Sequence, residues 1–256
     1  MAPSPHDGKR VVVVGASSGL GRTIGVGLAR RGHTVALLAR RYERLAQAAT
    51  EAPGRAVAIA CDATDETSCQ RALEQAARSL GGIEALVYTP AIGPLGPLRG
   101  VDAATWRRVF DTNVIGAALV TAAALPHLLE SRGVAAYLSS QSASLTAPWP
   151  GLGAYVVSKA ALDKLVEAWR VEHPEVGFTR IVVGNCAGGE GPAATEFASG
   201  WDPDLAAEFG AAWYAKGYVT SALLPADELV RIVDQVVRTD PAASVQTVVL
   251  TQRPSP

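Results

Sequence analysis

A tyrosine and a lysine that could exchange a proton with a substrate lie four residues apart, at Tyr155 and Lys159. On a helix this spacing places both side chains on one face, about a turn apart. A free tyrosine, with a pKa of about 10, is a poor proton donor or acceptor at neutral pH, but a fixed cation lowers that pKa. The pair therefore predicts a general acid and base. Because such pairs also arise by chance on surface helices, the prediction needs support from the rest of the chain.

The composition is that of an ordinary globular domain. The chain has 256 residues, of which 48% are hydrophobic and 18% are charged, and its formal net charge is −1. It is long enough to bury a sizeable core, and no linker or charge block divides it, so we predict a single domain over residues 10–256. Because the chain lacks the basic field that phosphate backbones attract, nucleic acid is not expected as a partner.

The cysteines, the N-terminal segment and the longest uncharged stretch favour a cytoplasmic location. Cys61, Cys69 and Cys186 are odd in number and have no paired spacing, so neither a disulfide framework nor a metal site is predicted. Residues 1–9 contain no apolar core and are expected to form a disordered tail, not a signal peptide or an anchor. The stretch Thr112–Pro126 is too short to span a bilayer, so no membrane is expected.

A glycine-rich turn follows the first predicted strand. Val11–Val14 is an unbroken β-branched run, and a helix pattern continues to Arg30 after the turn. In a strand–glycine turn–helix unit, backbone N–H groups and the helix N-terminus can bind the pyrophosphate of a dinucleotide. The alternative is that this turn only connects the strand to the helix. The candidate cofactor-binding residues in this turn are Gly15, Ser17, Ser18, Gly19, Leu20 and Gly21.

The end of the second predicted strand, Thr34–Leu38, indicates which nicotinamide cofactor is bound. An acidic residue at this place would hold the adenosine ribose of NAD. Here the residues are Ala39, Arg40 and Arg41, and a cation suits the 2′-phosphate of NADP(H). A pair of solvated arginines that opens the next helix is the alternative.

Strand and helix patterns then alternate along the chain, which predicts a doubly wound parallel sheet in a three-layer α/β/α fold. In such sheets the ligand crevice lies outside the carboxyl ends of the strands. The candidate cofactor-binding residues at those ends are Gly15, Arg40, Asp62, Ala63 and Thr89.

Two further polar positions precede the Tyr155 helix. Asn113 is the strongly polar side chain in an otherwise apolar part of a long helix predicted from Asp102 to about Leu129, and a buried amide needs partners, either at a site or in the local backbone. The fifth predicted strand, Val134–Leu138, runs into a serine-rich stretch, Ser139–Ser142.

Taken together and in order, these residues resemble the short-chain dehydrogenase/reductase family over nearly the whole chain. The motifs that carry the resemblance are the glycine turn, Asp62, Asn113, the Ser139-Ser140 pair, Tyr155 and Lys159. The resemblance implies a Rossmann-type fold and hydride transfer between a nicotinamide and a carbonyl or alcohol. Tyr155 would then exchange the proton, and Lys159 would lower its pKa and hold the ribose. The serine would polarise the carbonyl, and Asn113 would position a water.

The chain departs from the family pattern at several places. After the fourth strand it has Thr89, where the family usually has an asparagine that braces the adenosine side. The choice of serine is also open. We select Ser140 because it follows the strand end, whereas the rival Ser142 lies thirteen residues before Tyr155, which is the family's usual interval.

The segment 188–225 is long for a connection, and the resemblance implies a mobile lid over the substrate. Its aromatic residues are Phe197, Trp201, Phe209, Trp213, Tyr214 and Tyr218. Phe209 and Trp213 have the spacing of residues that pack a lid helix onto the body. As a set, however, the aromatics indicate an apolar pocket, with Phe197, Trp201 and Trp213 as candidate wall residues for a bulky apolar or aromatic ketone or alcohol. Gly188, Gly189 and Gly191 would let the lid close.

The apolar surfaces of the Thr112 helix and the Tyr155 helix exceed what one sheet face covers, and with the resemblance they predict a homodimer or homotetramer.

Two alternatives to an NADP(H)-dependent oxidoreductase remain open. One is a cofactor-binding redox sensor, and the other is a non-redox enzyme, such as a dehydratase or epimerase, that uses the same tyrosine.

Overall fold

The computed structural model describes residues 8–189, 191 and 194–253. Within these residues seven strands form one sheet in the order β3-β2-β1-β4-β5-β6-β7, and all neighbouring strands are parallel. The strands are β1 Arg10–Val14, β2 Thr34–Ala39, β3 Ala56–Ala60, β4 Ala85–Tyr88, β5 Val134–Ser140, β6 Gly177–Val183 and β7 Thr247–Leu250. The strand order reverses between β1 and β4, which opens a crevice at the carboxyl ends of those two strands.

Helices cover both faces of the sheet, which confirms the predicted doubly wound α/β/α fold. The helices are α1 Gly19–Arg30, α2 Tyr42–Thr50, α3 Glu66–Leu80, α4 Ala103–Phe110, α5 Gly116–Ser131, α6 Gln141–Ser144, α7 Gly153–Glu172, α8 Pro203–Ala215 and α9 Ala226–Val237. One core cluster joins α1, α2 and α9 to the sheet, and the other joins α3, α5 and α7 to the opposite face.

The first strand shows why its sequence is β-branched throughout. Val11 and Val13 belong to the α1/α9 core, whereas Val12 and Val14 belong to the α3/α5/α7 core, and all four are buried. Because a central parallel strand is covered on both faces, every position is apolar and no alternation with polar residues appears.

The long helix predicted from Asp102 is one helical run of 29 residues, 103–131, made of α4, a π-helical turn at Asp111–Ile115, and α5. Asp102 caps it, since its carboxylate accepts a hydrogen bond of 2.7 Å from Thr105 N. The run is longer than the uncharged stretch predicted from the sequence, and it is long and apolar enough to cross a membrane. Length and composition do not separate a membrane span from a core helix, and in this fold α5 packs against the sheet.

Lys9, which was expected to belong to a disordered tail, is instead held by hydrogen bonds to distant residues. Of the tail expected at residues 1–9, residues 1–7 lie outside the described part of the chain. Lys9 N donates to His33 Nδ1 at 2.9 Å, and His33 Nε2 lies 2.6 Å from Asp234 Oδ1 on α9. His33 is fully buried, so it connects Lys9 to α9 from within the protein.

Candidate active site

The glycine turn after β1 forms a cradle that side chains would fill. Gly15 and Gly19 have φ values of 84° and 56°, in the left-handed region that favours glycine. A Cβ on Gly21 would lie 2.3 Å from both Gly15 O and Thr89 Oγ1. Helix α1 then begins at Gly19, and the side chain of its N-cap residue, Ser18, does not cap it. The cradle and the uncapped helix end fit the pyrophosphate of a dinucleotide.

Thr89 joins β4 to β1 directly beneath this cradle. Its hydroxyl donates to Val14 O at 2.6 Å, and its N–H donates to the same oxygen at 3.2 Å. The threonine therefore braces the glycine turn at the place where the family usually has an asparagine.

Asp62, Arg40 and Ala63 line the end of the crevice where the sequence predicts the adenosine, here called the adenosine end. Asp62 accepts hydrogen bonds from Thr64 N at 3.0 Å and Thr64 Oγ1 at 2.8 Å. Burial favours the neutral form of Asp62, but these bonds and the charge of Arg40 outweigh it and hold the pKa of the carboxyl below its usual value. Arg40 itself is exposed and lines the cleft.

Arg41, which the sequence analysis did not select, makes the most specific contacts at this end. Its guanidinium donates to Ser17 Oγ at 2.8 Å and to Ser18 Oγ at 2.8 Å, and it forms an ion pair with Glu196. The sequence did contain a sign of this role, because Arg40 and Arg41 are adjacent, but only Arg40 was selected as a cofactor-binding residue. The structure brings both arginines to the cleft.

Tyr155 and Lys159 occupy one face of α7 at the opposite end of the cleft, as the spacing predicts. Lys159 is 2% exposed, and its Nζ lies 5.9 Å from the centre of the Tyr155 ring. This ammonium donates to Leu138 O at 2.7 Å, so the end of β5 holds it in place.

The pKa values of this pair differ from the expectation. Burial raises the pKa of Tyr155 to about 12, opposed by the Ser140 hydroxyl. Burial lowers the pKa of Lys159 to about 8, opposed by the charge of Asp163. Lys159 is therefore a cation at neutral pH, but it loses its proton at a lower pH than the free Tyr155 phenol does. The expected lowering of the Tyr155 pKa by Lys159 is not found in this structure.

The two candidate serines lie side by side, but their positions differ. Ser140 ends β5 and lines the cleft with Tyr155 and Lys159. Ser142 is 2% exposed within α6, does not line the cleft, and lies with its Oγ 2.9 Å from Ser140 Oγ. The geometry favours Ser140 as the residue that reaches a ligand.

The Asn113 side chain holds two chain segments together. Its Oδ1 accepts from Ile92 N at 2.9 Å, and its Nδ2 donates to Ile92 O at 2.9 Å and to Ser158 Oγ at 2.8 Å. The residue is fully buried in the π-helical turn. Both amide protons of the side chain are donated to protein groups, and the expectation that Asn113 positions a water stays a prediction. The alternative of an amide bound only to its local backbone does not hold, because the backbone partner, Ile92, lies 21 residues away in sequence.

The predicted lid aromatics separate into two groups. Phe197 lies edge-on against the Tyr155 ring, with 5.0 Å between ring centres, and Trp201 Nε1 donates to Gly93 O at 2.7 Å. Both residues line the cleft. Trp213 does not line the cleft but lies behind Trp201, with 5.9 Å between the two ring centres. Its Nε1 donates to Pro150 O at 2.8 Å, and its ring lies 5.4 Å from that of Trp149. The prediction that Trp213 lines the pocket is therefore wrong, and its ring packs α8 onto the body.

The cleft that joins these two ends has a volume of about 800 Å³. It runs from Arg40 and Arg41, along the glycine turn, to Tyr155 and Trp201. An elongated crevice with a phosphate cradle in its middle and a proton donor at one end fits a dinucleotide beside a small substrate.

Comparison with known proteins places this site in a family. The family model described as short chain dehydrogenase matches residues 9–202. A short chain dehydrogenase of Pseudocercospora fijiensis is 35% identical over 170 residues, which are 64% of this chain and 55% of that protein. The 11-beta-hydroxysteroid dehydrogenase A of Sesamum indicum is 33% identical over 183 residues, 69% of this chain and 52% of that protein. The chain thus spans about half the length of these curated relatives.

Solved structures agree in fold over almost all of the chain. A short-chain type dehydrogenase/reductase from Mycobacterium marinum superposes with a TM-score of 0.81 at 25% identity, covering 96% of this chain and 95% of that one. An alcohol dehydrogenase from the archaeon Thermococcus sibiricus, complexed with 5-hydroxy-NADP, has a TM-score of 0.77 at 22% identity and covers 97% and 100%. With the match to the family model, these findings show that the chain belongs to the short-chain dehydrogenase/reductase family.

Proposed function

We propose that the protein is an NADP(H)-dependent oxidoreductase that transfers a hydride between the nicotinamide and a carbonyl or alcohol substrate. The observation that carries the proposal is the convergence of Tyr155, Lys159 and Ser140 on a cleft whose other half is a glycine cradle. Bound nicotinamide would supply or accept the hydride. The protein must then deliver or remove one proton at the substrate oxygen.

The side chains divide this work. In the direction of reduction, Tyr155 gives its phenolic proton to the substrate oxygen, and Ser140 donates a hydrogen bond that polarises the carbonyl. Lys159 holds the cofactor ribose, and its ammonium stabilises the phenolate left on Tyr155. Asn113 acts through other residues, because its amide fixes the Ile92 loop against α7.

The preference for NADP(H) rests on the cations after β2. Arg40 and Arg41 both line the cleft, and Ser17 already accepts a hydrogen bond from Arg41. Guanidinium and hydroxyl groups together suit a phosphate monoester, and a cation follows β2 in place of the carboxylate that would hold an adenosine 2′-hydroxyl. The Thermococcus sibiricus structure holds an NADP analogue in the same fold.

The substrate class follows from the wall opposite Tyr155. Phe197 and Trp201 line the cleft there and present aromatic surface to whatever lies against the phenol. We therefore propose a bulky, largely apolar or aromatic ketone or alcohol. The name of the Sesamum indicum relative, a hydroxysteroid dehydrogenase, is consistent with a substrate of this kind.

A screen of ketones with NADPH and of alcohols with NADP⁺, followed by NADPH absorbance, tests the proposed reaction. We expect turnover of at least one bulky substrate and a loss of about 10²- to 10⁴-fold in Tyr155→Phe, the range for removal of a general acid or base. NADPH binding by calorimetry is the control, because a folded Tyr155→Phe chain should still bind the cofactor at the glycine cradle. Tight NADPH binding without any oxidation of cofactor would favour a binding-only redox sensor. Conversion of a substrate without net redox change would favour a dehydratase or epimerase.

The substrate-size proposal is tested with two tryptophans of the same segment. Trp201→Ala should raise KM for large substrates more than for small ones, because Trp201 lines the cleft. Trp213→Ala is the comparison variant. Because Trp213 packs against both Trp149 and Trp201 but does not line the cleft, it should lower the melting temperature and change the ratio of large to small substrate turnover less than Trp201→Ala does. Equal effects of Trp201→Ala on both substrate sizes would argue against an aromatic substrate wall.

We also propose a homodimer or homotetramer located in the cytoplasm. Ile115 and Val157, on the helical run 103–131 and on α7, are 46% and 47% exposed, which leaves apolar surface for a second copy to cover. Light scattering at micromolar concentration tests the assembly, and a monomer would contradict it. Fractionation of the source cells tests the location.

A further inference from the structure

A lid carboxylate is bound between two arginines at the adenosine end of the cleft. Glu196 Oε2 pairs with Arg41 Nη1, and its Oε1 pairs with Arg44 Nη1. These hydrogen bonds hold the pKa of Glu196 below its usual value, so the carboxylate is charged at neutral pH. One negative charge thus lies between two positive ones, on side chains that are all partly exposed.

The same guanidinium also contacts the glycine turn. Arg41 uses Nη1 for Glu196, and its remaining nitrogens donate to Ser17 and Ser18. The Glu196 carboxylate therefore occupies the anion position beside the two serines. A phosphate monoester carries more negative charge and more acceptor oxygens than a carboxylate, so it matches two arginines and two hydroxyls better.

The neighbours of Glu196 extend this contact to the catalytic end. Thr195 packs against the glycine turn, since a Cβ on Gly19 would lie 3.4 Å from its side chain. Phe197, on the other side of Glu196, lies edge-on against Tyr155. A segment of three residues, 195–197, thus reaches from the arginine pair to the phenol.

We propose that Glu196 is a specificity-determining residue that occupies the 2′-phosphate position and is displaced by the 2′-phosphate of NADP(H), which frees Phe197 from Tyr155. The proposal rests on the proposed preference for NADP(H). A nucleotide without the 2′-phosphate leaves the Glu196 ion pairs intact and Phe197 in place. Because the native ion pairs must break, Glu196 weakens the binding of 2′-phosphorylated nucleotides and ties that binding to access at Tyr155.

The test uses 2′,5′-ADP and 5′-AMP as probes, with dissociation constants measured by calorimetry for the full chain. Glu196→Gln should bind 2′,5′-ADP about two- to tenfold more tightly, the effect of removing one or two exposed ion pairs, and should bind 5′-AMP as the native chain does. Glu208→Gln is the matched control. It removes an exposed lid carboxylate that pairs with no cation in the part of the chain that the structure describes, and it should bind both probes like the native chain.

Hydrogen exchange of peptides covering residues 194–201 tests the connection to Phe197. In the native chain 2′,5′-ADP should speed exchange in this segment, and 5′-AMP should not. Slower or unchanged exchange with 2′,5′-ADP would overturn the displacement.

The affinity outcomes separate this inference from the cofactor preference. Equal tightening for both probes in Glu196→Gln, or no tightening at all, overturns the role of Glu196, even where the native chain prefers 2′,5′-ADP. If the native chain binds the two probes equally and Glu196→Gln acquires a preference for 2′,5′-ADP, the cofactor preference fails for the native protein and the displacement is supported.

Discussion

The two ends of the cleft hold their charged groups in different ways. At the catalytic end Lys159 is buried and bound to a main-chain oxygen of β5, and Asn113 is bound to the main chain of the Ile92 loop. At the adenosine end Arg41 and Arg44 are partly exposed and are held by other side chains, including Glu196.

This difference matches the roles proposed for the two ends, which are proton transfer at one end and the choice of cofactor at the other. Buried groups fixed by the main chain keep one geometry, which is what proton transfer in a water-poor site requires. Exposed ion pairs contribute little net free energy, about 0 to 1 kcal/mol each, and exchange partners readily. We therefore expect substitutions at the catalytic end to reduce turnover, and substitutions at the adenosine end to change which cofactor binds.

After Tyr155→Phe, the largest expected effect is at the end of β5. Ser140→Ala removes the hydroxyl that lines the cleft beside Tyr155 and should lower kcat about 10²- to 10³-fold, the typical cost of losing one donor to a developing oxyanion. Ser142→Ala is the matched control and should stay within about tenfold, because it loses only a hydrogen bond to Ser140. Steady-state kinetics with saturating NADPH measures both. Loss of turnover in Ser142→Ala with a near-native Ser140→Ala would show that Ser142 is the catalytic serine.

An intermediate effect is expected at the adenosine end. Arg40→Asp replaces a cation with an anion and should raise the Kd for NADPH roughly 10- to 100-fold, since a hydrogen bond to a charged group is worth about 1.5–3 kcal/mol. NADH affinity should stay level or improve, and kcat at saturating cofactor should change little. Equal affinity of the native chain for the two cofactors would contradict this prediction, and so would an Arg40→Asp chain that loses only kcat. Either result would mean that the adenosine end does not control which cofactor binds.

The smallest expected effect is a pH shift at the catalytic end. Asp163 is 6% exposed, one helical turn beyond Lys159, and pairs with Arg180 at 3.2 Å. Its charge raises the pKa of Lys159, which burial holds at about 8, and it also raises that of Tyr155. Reduction requires both groups protonated, so activity falls as pH rises through the Lys159 pKa. Asp163→Asn lowers both pKa values, and the alkaline fall in kcat/KM should move to lower pH.

The control for this shift is Glu167→Gln on the same helix. Glu167 pairs with Lys164 on the protein surface and should leave the pH profile unchanged. An unshifted profile in Asp163→Asn, or an equal shift in both variants, would show that Asp163 serves only the stability of α7.

The sequence predicted the parts of this site that local pattern controls. The glycine turn is recognisable because left-handed φ values and close backbone approach exclude side chains at Gly15, Gly19 and Gly21. Tyr155 and Lys159 are recognisable because helical spacing alone places them on one face. The strand ends that carry Asp62 and Thr89 follow from the alternation of strands and helices.

The remaining parts depend on contacts between distant segments. Arg41 and Glu196 are 155 residues apart, and their pairing requires the lid to lie across α2. Trp201 and Trp213 lie in one segment with similar composition, and only the docking of α8 decides which ring faces the cleft. The pKa of Tyr155 also depends on burial, which the sequence does not reveal. Because of burial, Lys159 loses its proton at a lower pH than Tyr155 does, and not the reverse.

The buried histidine between Lys9 and α9 has a consequence for the tolerance of the fold to acid. His33 Nδ1 accepts a hydrogen bond from Lys9 N, so the neutral ring carries its proton on Nε2 and donates it to Asp234. Burial, opposed by Asp234, lowers the pKa of His33 from its ordinary value of 6.5. A depressed histidine pKa stabilises the folded state fully above that ordinary value, and the contribution is lost as pH falls through the folded-state pKa.

The melting temperature should therefore fall between about pH 7.5 and about pH 5.5, a range in which ordinary carboxylates do not titrate. His33→Gln should melt at lower temperature at the upper pH and lose most of this dependence, whereas His127→Gln, on α5, should keep it. If the melting temperature of the native chain stays level over this range, His33 does not make the fold sensitive to acid. If the melting temperature falls as expected, mild acidification acts first where Lys9, the α1–β2 connection and α9 meet, and not at the end of the sheet that carries Tyr155.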